Sequence, residues 1–224
     1  MIPDFIYTGL IDVLSYRSRL EEDRRSGGSK FKDDLEGALS VFDTVNSAVY
    51  SVNAISDTVI LTCNNHNNFI EFLQILRNVF KAFMRKGLLI RGGVAYSKHF
   101  QSGRLTYSHA VARAYELESK VAIYPRIVID DNIIQMYSSG TGLPALFNKG
   151  WLMVHNGITF LDVIEQTEWN EYHNLAAQIY ERDKYKLQMD ENAFSKHQWF
   201  ENYLFDHPSA NMTEKRYIEK MSLK

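Results

Sequence analysis

Two periods of apolar and polar positions run along this chain, and the places where one gives way to the other predict its elements. Tyr7–Leu14 (YTGLIDVL) is a nearly continuous apolar run that reads as a strand, interrupted by one charge, Asp12. After the flexible break Ser26-Gly27-Gly28-Ser29, Leu35, Leu39, Phe42 and Val45 recur at three- and four-residue spacing and predict an amphipathic helix within 31–50. That helix runs into a hairpin with strands at about Val45–Val52 and Thr58–Cys63, a polar turn Asn53-Ala54-Ile55-Ser56, and Asp57 entering the second strand. Asn64–Asn68 is rich in helix-capping residues, and Phe69, Phe72, Leu73, Leu76, Val79, Phe80 and Phe83 form one helical stripe closed by Arg85, Lys86 and Gly87.

Leu88–Ser97 (LLIRGGVAYS) reads as a strand, and Gly92-Gly93 inside it calls for close approach of another backbone or a ligand. A turn and short strand over Phe100–His109 lead to a helix, Ala110–Glu118, capped by Ser108. Val121–Asp130 is a strand that Pro125 marks as an edge, with Asp130-Asp131 as its terminator. A short helix, a Gly/Pro turn over Ser139–Pro144 and a hairpin around Asn156-Gly157 follow, and the pattern is helical from Glu165 onward. The order β-α-β-β-α-β, then β-α-β, favours an α+β or α/β sandwich with a mixed sheet.

Composition narrows the partners. With 224 residues, 45% hydrophobic and 23% charged, the chain expects a packed core, and a net charge of −2 leaves no basic surface to hold a nucleic-acid polymer. Its one cysteine, Cys63, lies on an apolar strand and reads as core filler in a reducing compartment. No stretch approaches the ~18 apolar residues of a membrane span and no signal sequence is visible, so the expectation is a soluble, cytoplasmic protein without a membrane partner.

The candidate chemistry rests on the two aspartates that interrupt apolar strands. If the strands carrying Asp12 and Asp57 lie side by side, a carboxylate pair without histidine or cysteine selects hard cations such as Mg²⁺ or Mn²⁺. Such ions complete their shell with water and nucleotide phosphates, and a pair of them implies phosphoryl transfer.

A family resemblance is carried by these same residues. Asp12-Val13-Leu14-Ser15-Tyr16 resembles the first metal motif of the class III nucleotidyl cyclases, and Ile55-Ser56-Asp57-Thr58 resembles the second. Leu89-Ile90-Arg91-Gly92-Gly93-Val94-Ala95 is similar to the strand after their long helix, and Val111–Glu118 (VARAYELE) to the helix bearing their transition-state residues. The agreement covers residues 4 to 130. RGGVAY, AYELE and YPRIVID together are most similar to the Pycsar pyrimidine cyclases of bacterial anti-phage signalling.

The resemblance implies an α+β class III catalytic domain over residues 1–165, a ferredoxin-like βαββαβ core with a mixed sheet, and a C-terminal helical extension over 166–224. It implies conversion of UTP, or alternatively CTP, to a 3′,5′-cyclic nucleotide and pyrophosphate by two Mg²⁺ or Mn²⁺ ions on Asp12, Asp57 and the Val13 carbonyl. The backbone of Val13, Leu14, Ser15, Tyr16 and Arg17 would cradle the triphosphate, and Tyr50 would select base size beside Asn53, which stands where purine cyclases carry a lysine. Ala112 and Glu116 replace the usual asparagine and arginine, so the transition-state charge would come from Arg91 or Arg113, with Lys98 and Arg126 as further candidates. A homodimer with composite sites at its interface, and a separate effector that reads the product, complete the implied picture. A non-catalytic nucleotide sensor and a polymerase-palm-like or GGDEF-type transferase remain as alternatives.

Overall fold

The computed structural model describes residues 4–102 and 105–218. Among them, eight strands make one mixed sheet: β1 (Asp4–Val13), β2 (Tyr50–Ile55), β3 (Thr58–Cys63), β4 (Ile90–Ser102), β5 (Leu105–Ser108), β6 (Ile127–Ile129), β7 (Leu152–His155) and β8 (Ile158–Leu161). Their order is β2-β3-β1-β4-β6-β8-β7, with β5 paired to β4; only β4 and β6 run parallel. Helices α1 (Tyr16–Ser26), α2 (Lys30–Leu39) and α3 (Phe69–Arg85) connect the first four strands. The order β2-β3-β1-β4 with these crossovers is the ferredoxin-like βαββαβ arrangement expected from the sequence. α4 (His109–Lys120), α5 (Asp131–Ser138), α6 (Gly142–Asn148), α7 (Trp169–Leu187) and α8 (Glu191–Asp206) complete the chain.

Strand alternation sorts β1 into two faces. Tyr7, Ile11 and Val13 enter the main core with the α3 stripe of Phe72, Leu76 and Phe80, and α7 and α8 add Trp169, Tyr172, Ile179, Trp199 and Phe200 to that same core. Leu10 faces the other way, into a smaller core with Ala95, Ala114, Leu117 and Val128, which α4 covers. Asp12 shares the parity of Leu10 and therefore lies on the α4 face. The C-terminal helices are thus continuous with the core rather than appended to it.

Gly93 shows how closely α4 sits on the sheet. A Cβ there would stand 2.5 Å from Leu117 Cβ and 2.6 Å from the Ala114 carbonyl, while one at Gly92 would stand 2.6 Å from the Leu10 carbonyl. The close backbone approach read from the glycine pair is met on both faces. α3 also agrees with its sequence stripe to within a residue.

Four local expectations need correction. The first hairpin turns at Ser56-Asp57, with Ser56 at φ 57°, so Asn53, Ala54 and Ile55 belong to β2 rather than to the turn. The helix expected through 31–50 ends as α2 at Leu39 and gives way to a short 3-10 turn over Ser40–Thr44. β6 is an interior strand between β4 and β8, because Pro125 precedes the ladder and takes no amide from it. Thr141–Pro144 enters α6, where Pro144 occupies a first-turn position that needs no hydrogen bond from its nitrogen.

Candidate active site

Asp12 and Asp57 converge by three separate links. Asp12 pairs in register with Thr58, the residue after Asp57. The Val13 amide donates to the Asp57 carbonyl at 3.2 Å, stitching the hairpin tip to the end of β1. The Asp57 charge also reaches Asp12: burial, joined by Asp57, holds the Asp12 carboxyl above its ordinary range although Arg91 opposes the shift.

Arg91 faces Asp12 across the β1–β4 ladder, with Nε 3.2 Å from Asp12 Oδ2. Its Nη2 lies 2.6 Å from Oε1 of Glu118, a buried carboxylate on the last turn of α4. The contact is an ion pair rather than an aligned hydrogen bond, since Glu118 Oε1 has no hydrogen-bond partner. Burial raises the Glu118 carboxyl against the lowering effect of Arg91, and Asp12 and Asp57 raise it further. Arg91 therefore bridges Asp12 and Glu118, with Asp57 on the far side of Asp12.

A second cation comes from a distant part of the chain. Lys196 of α8 is half-buried and makes no ion pair among the described residues; burial lowers its pKa, the Arg91 charge lowers it further, and Asp190 and Asp12 pull the other way. It lines a narrow cleft with Leu14, Ser15, Arg19, Asp183 and His197, beside the β1–α1 turn. α7 is fastened there by Arg19, whose Nη2 is 2.8 Å from both oxygens of Asp183, and by the Lys186–Glu22 pair.

His197 in the same cleft gives a measurable signature. Burial depresses its pKa to about 4, outweighing the favourable Asp183 charge, while Arg182, Arg19 and Lys196 push in the same direction as burial. The unfolded chain, titrating near 6.5, binds the proton first. Stability is therefore full above that value and falls by about 3 kcal/mol as pH drops through the window from 6.5 to 4. Chemical denaturation at stepped pH reads this slope, and His197→Gln is expected to flatten it.

The other sequence candidates fall in different places. Ser15 takes a left-handed conformation (φ 65°) immediately before α1, and the amides of Tyr16 and Arg17 open that helix, where orphan donors meet anions. The Leu14 amide is spent on the Leu89 carbonyl at 2.9 Å, so it is not part of a phosphate cradle here. Arg113 forks onto the buried Asp130 carboxylate, with Nη2 2.9 Å from Oδ1, and also reaches Glu116, which takes it out of the Asp12 cluster. Asp130, expected as a strand terminator, thereby anchors α4. Arg126 is buried with its guanidinium 5.3 Å from the Trp199 ring, and Lys98 pairs in register with Phe5, seven positions from Asp12 on β1.

Tyr50 and Asn53 separate. Tyr50 pairs with Cys63 and, through it, with Tyr7, five positions from Asp12 or roughly 17 Å along the strand. It belongs to the main core, on the face opposite Asp12, so base selection by Tyr50 is not supported by its placement. Asn53 pairs with Ile60, on the Asp12 face, and is exposed. Cys63 is buried with its thiol on the Asn65 carbonyl, as core filler.

Glu118 and Lys196 escaped sequence reasoning. The signal for Glu118 was its place one turn beyond Ala114 on the helix that Gly93 admits; Lys196 had none, since nothing local ties α8 to β1.

Among the described residues, no group of three or more His, Cys, Asp or Glu side chains is arranged to hold a metal. The Asp12–Asp57 pair does suit a hard divalent cation: two carboxylates are brought to one sheet end by the Asp12–Thr58 pairing and the Val13–Asp57 backbone bond, with backbone, water or phosphate oxygens left to complete the shell. Among the described residues no helix is long and apolar enough to cross a membrane.

No protein-family profile matches the chain, and no curated protein sequence does. Several solved structures are similar to it. The monomeric guanylyl cyclase domain of the RhoGC fusion protein from the aquatic fungus Blastocladiella emersonii is 12% identical, with 70% of this chain and 94% of that one covered and a TM-score of 0.46. The guanylate cyclase domain of RhGC from Catenaria anguillulae, in complex with GTP, is 13% identical, with 70% and 93% covered and a TM-score of 0.44. A bacterial light-regulated adenylyl cyclase is 8% identical, with 73% of this chain and 54% of that one covered and a TM-score of 0.46.

Proposed function

We propose that this protein is a nucleotidyl cyclase whose reaction centre is the Asp12–Asp57 pair. The observation that carries the reading is the meeting of two strand-end carboxylates beside the open first turn of α1, in the motifs Asp12-Val13-Leu14-Ser15-Tyr16 and Ile55-Ser56-Asp57-Thr58. In the reaction the ribose 3′-hydroxyl gives up its proton to solvent water, its oxygen bonds to the α-phosphorus, the α-phosphorus–oxygen bond to the β-phosphate breaks, and pyrophosphate leaves with that electron pair.

Asp12 and Asp57 would hold one or two Mg²⁺ or Mn²⁺ ions, which supply hydroxyl activation and neutralise phosphate charge when bound. The Tyr16 and Arg17 amides meet phosphate oxygens at the positive end of α1. Arg91 and Lys196 bring fixed positive charge to the same mouth. Lys196→Met is expected to raise KM for the triphosphate about tenfold, the loss of one charge-assisted contact, with the melting temperature unchanged and Lys196→Arg largely restoring it; steady-state kinetics and thermal melts together check this.

Sequence resemblance alone extends the proposal to a pyrimidine triphosphate, UTP ahead of CTP, to a homodimer with shared sites, and to a cyclic product read by a separate effector in anti-phage defence. Asn53, exposed on the Asp12 face, is the hairpin residue we assign to the base. The sensor reading keeps one observation in its favour: Ala112 and Glu116 stand where purine cyclases carry asparagine and arginine, and Arg113 is tied to Asp130.

Incubation with each of the four nucleoside triphosphates and Mn²⁺, followed by mass spectrometry, separates the readings. A cyclic monophosphate supports the cyclase, with the uridine product foremost. A condensed dinucleotide would identify a transferase, and binding without turnover a sensor.

A further inference from the structure

Arg91 stands between two carboxylates of unequal freedom. Glu118 is buried on the last turn of α4, and that turn is fixed by contact over Gly93, where a Cβ would lie 3.0 Å from the Glu118 amide nitrogen. Asp12, by contrast, lies at the mouth with Asp57 beside it, and its Oδ2 is engaged by Arg91 Nε at 3.2 Å. The guanidinium therefore covers one of the two carboxylates that a divalent cation needs. It also has a second anchor, Nη2 to Glu118 Oε1 at 2.6 Å, that does not depend on Asp12.

We infer that Arg91 is the resident counter-ion of Asp12 in the cation-free protein and that a divalent cation displaces it, Glu118 retaining the guanidinium beside the site as an anion-facing group. This rests on the cyclase reading and deepens it, giving Glu118 a role as a positioning residue that acts through Arg91. The direction follows from charge: a cation on Asp12 and Asp57 repels Arg91, while Glu118 attracts it. Without Glu118 the guanidinium has Asp12 as its remaining carboxylate in the cluster and competes harder with the cation. The released edge of the fork then suits phosphate oxygens, which guanidinium groups bind in pairs.

The test is Mn²⁺ binding to the full chain without nucleotide, followed by the loss of the free-ion electron paramagnetic resonance signal. Removing the competitor in Arg91→Gln is expected to tighten Mn²⁺ about tenfold, as when an occluded state is eliminated. Glu118→Gln, which is isosteric, is expected to weaken it about tenfold, as for residues supporting a ligand. In the Arg91→Gln background the Glu118→Gln change is expected to alter affinity by less than about twofold, because the two act as one unit.

Equal weakening by Glu118→Gln in both backgrounds would reduce Glu118 to a distant charge and overturn the inference, as would an Arg91→Gln variant that binds Mn²⁺ no tighter than wild type. Thermal melts identify any variant that fails to fold, and the arginine arm then decides alone. Wild-type protein that cyclises nucleotide and binds Mn²⁺ but shows no such coupling defeats this inference only. Wild-type protein that neither binds Mn²⁺ nor turns over nucleotide defeats the cyclase reading with it.

Discussion

Asp57→Asn is expected to abolish cyclic-nucleotide formation while the protein melts at or above the wild-type temperature. Asp57 closes a two-residue turn, and the turn's tie to β1 runs through its backbone carbonyl, which the substitution keeps. Its carboxylate, however, raises the Asp12 pKa, an unfavourable meeting of like charges that the cation-free fold tolerates. If Asp57 holds the cation as proposed, its loss would remove several kcal/mol of transition-state stabilisation, about 10³ or more in rate. Loss of turnover with stability intact or improved is the signature of a group kept for chemistry rather than for folding. A structural aspartate would give the reverse, and paired kinetics and thermal melts on the same preparation tell the two apart.

Asp162→Ala is that reverse case. Asp162 is buried and accepts from Tyr203 Oη at 2.6 Å, from the Ile164 amide at 3.2 Å, and meets His207 Nε2 at 3.1 Å. The cluster joins the chain after β8 to α8 and to the turn beyond it, where His207 Nδ1 also accepts from the Ser209 amide. Truncation strands a buried hydroxyl, an amide and an imidazole, and is expected to cost about 3–5 kcal/mol. Urea denaturation should show this as a lower midpoint, and any surviving folded protein should keep its turnover per molecule unless α8 shifts Lys196.

Asp162 carried no signal in the chain, whereas the Asp12–Asp57 pair was legible in part. Asp12 interrupts a strand whose neighbours on both sides are apolar, so its place near the end of that strand followed from patterning once β1 was recognised. The α3 stripe and the Gly92-Gly93 pair were equally readable, because one period and one missing side chain sufficed. Register was harder. Tyr50 lies on the first hairpin strand as expected, but the turn at Ser56-Asp57 instead of Asn53–Ser56 slides its partner from Val59 to Cys63, toward the end of the strand away from Asp57. Arg113 illustrates a different limit: its sequence position suits a reaction role, and only the parallel β4–β6 pairing brings Asp130 beneath it. Lys196 marks the far end of the scale, since it is α7 that the Arg19–Asp183 and Lys186–Glu22 pairs hold against α1 across more than half the chain, and α8 comes to the β1–α1 turn only by following α7.

The central claim is that the Asp12–Asp57 pair drives cyclisation of a nucleoside triphosphate. It is tested most directly by following UTP turnover with Mn²⁺ by phosphorus NMR in wild-type protein and in Asp57→Asn. The account predicts one pyrophosphate for each 3′,5′-cyclic monophosphate, both absent from the variant and from chelator-treated wild type. Cyclic product formed at an undiminished rate by Asp57→Asn, or no cyclic product from any nucleoside triphosphate with the folded wild type, would contradict it.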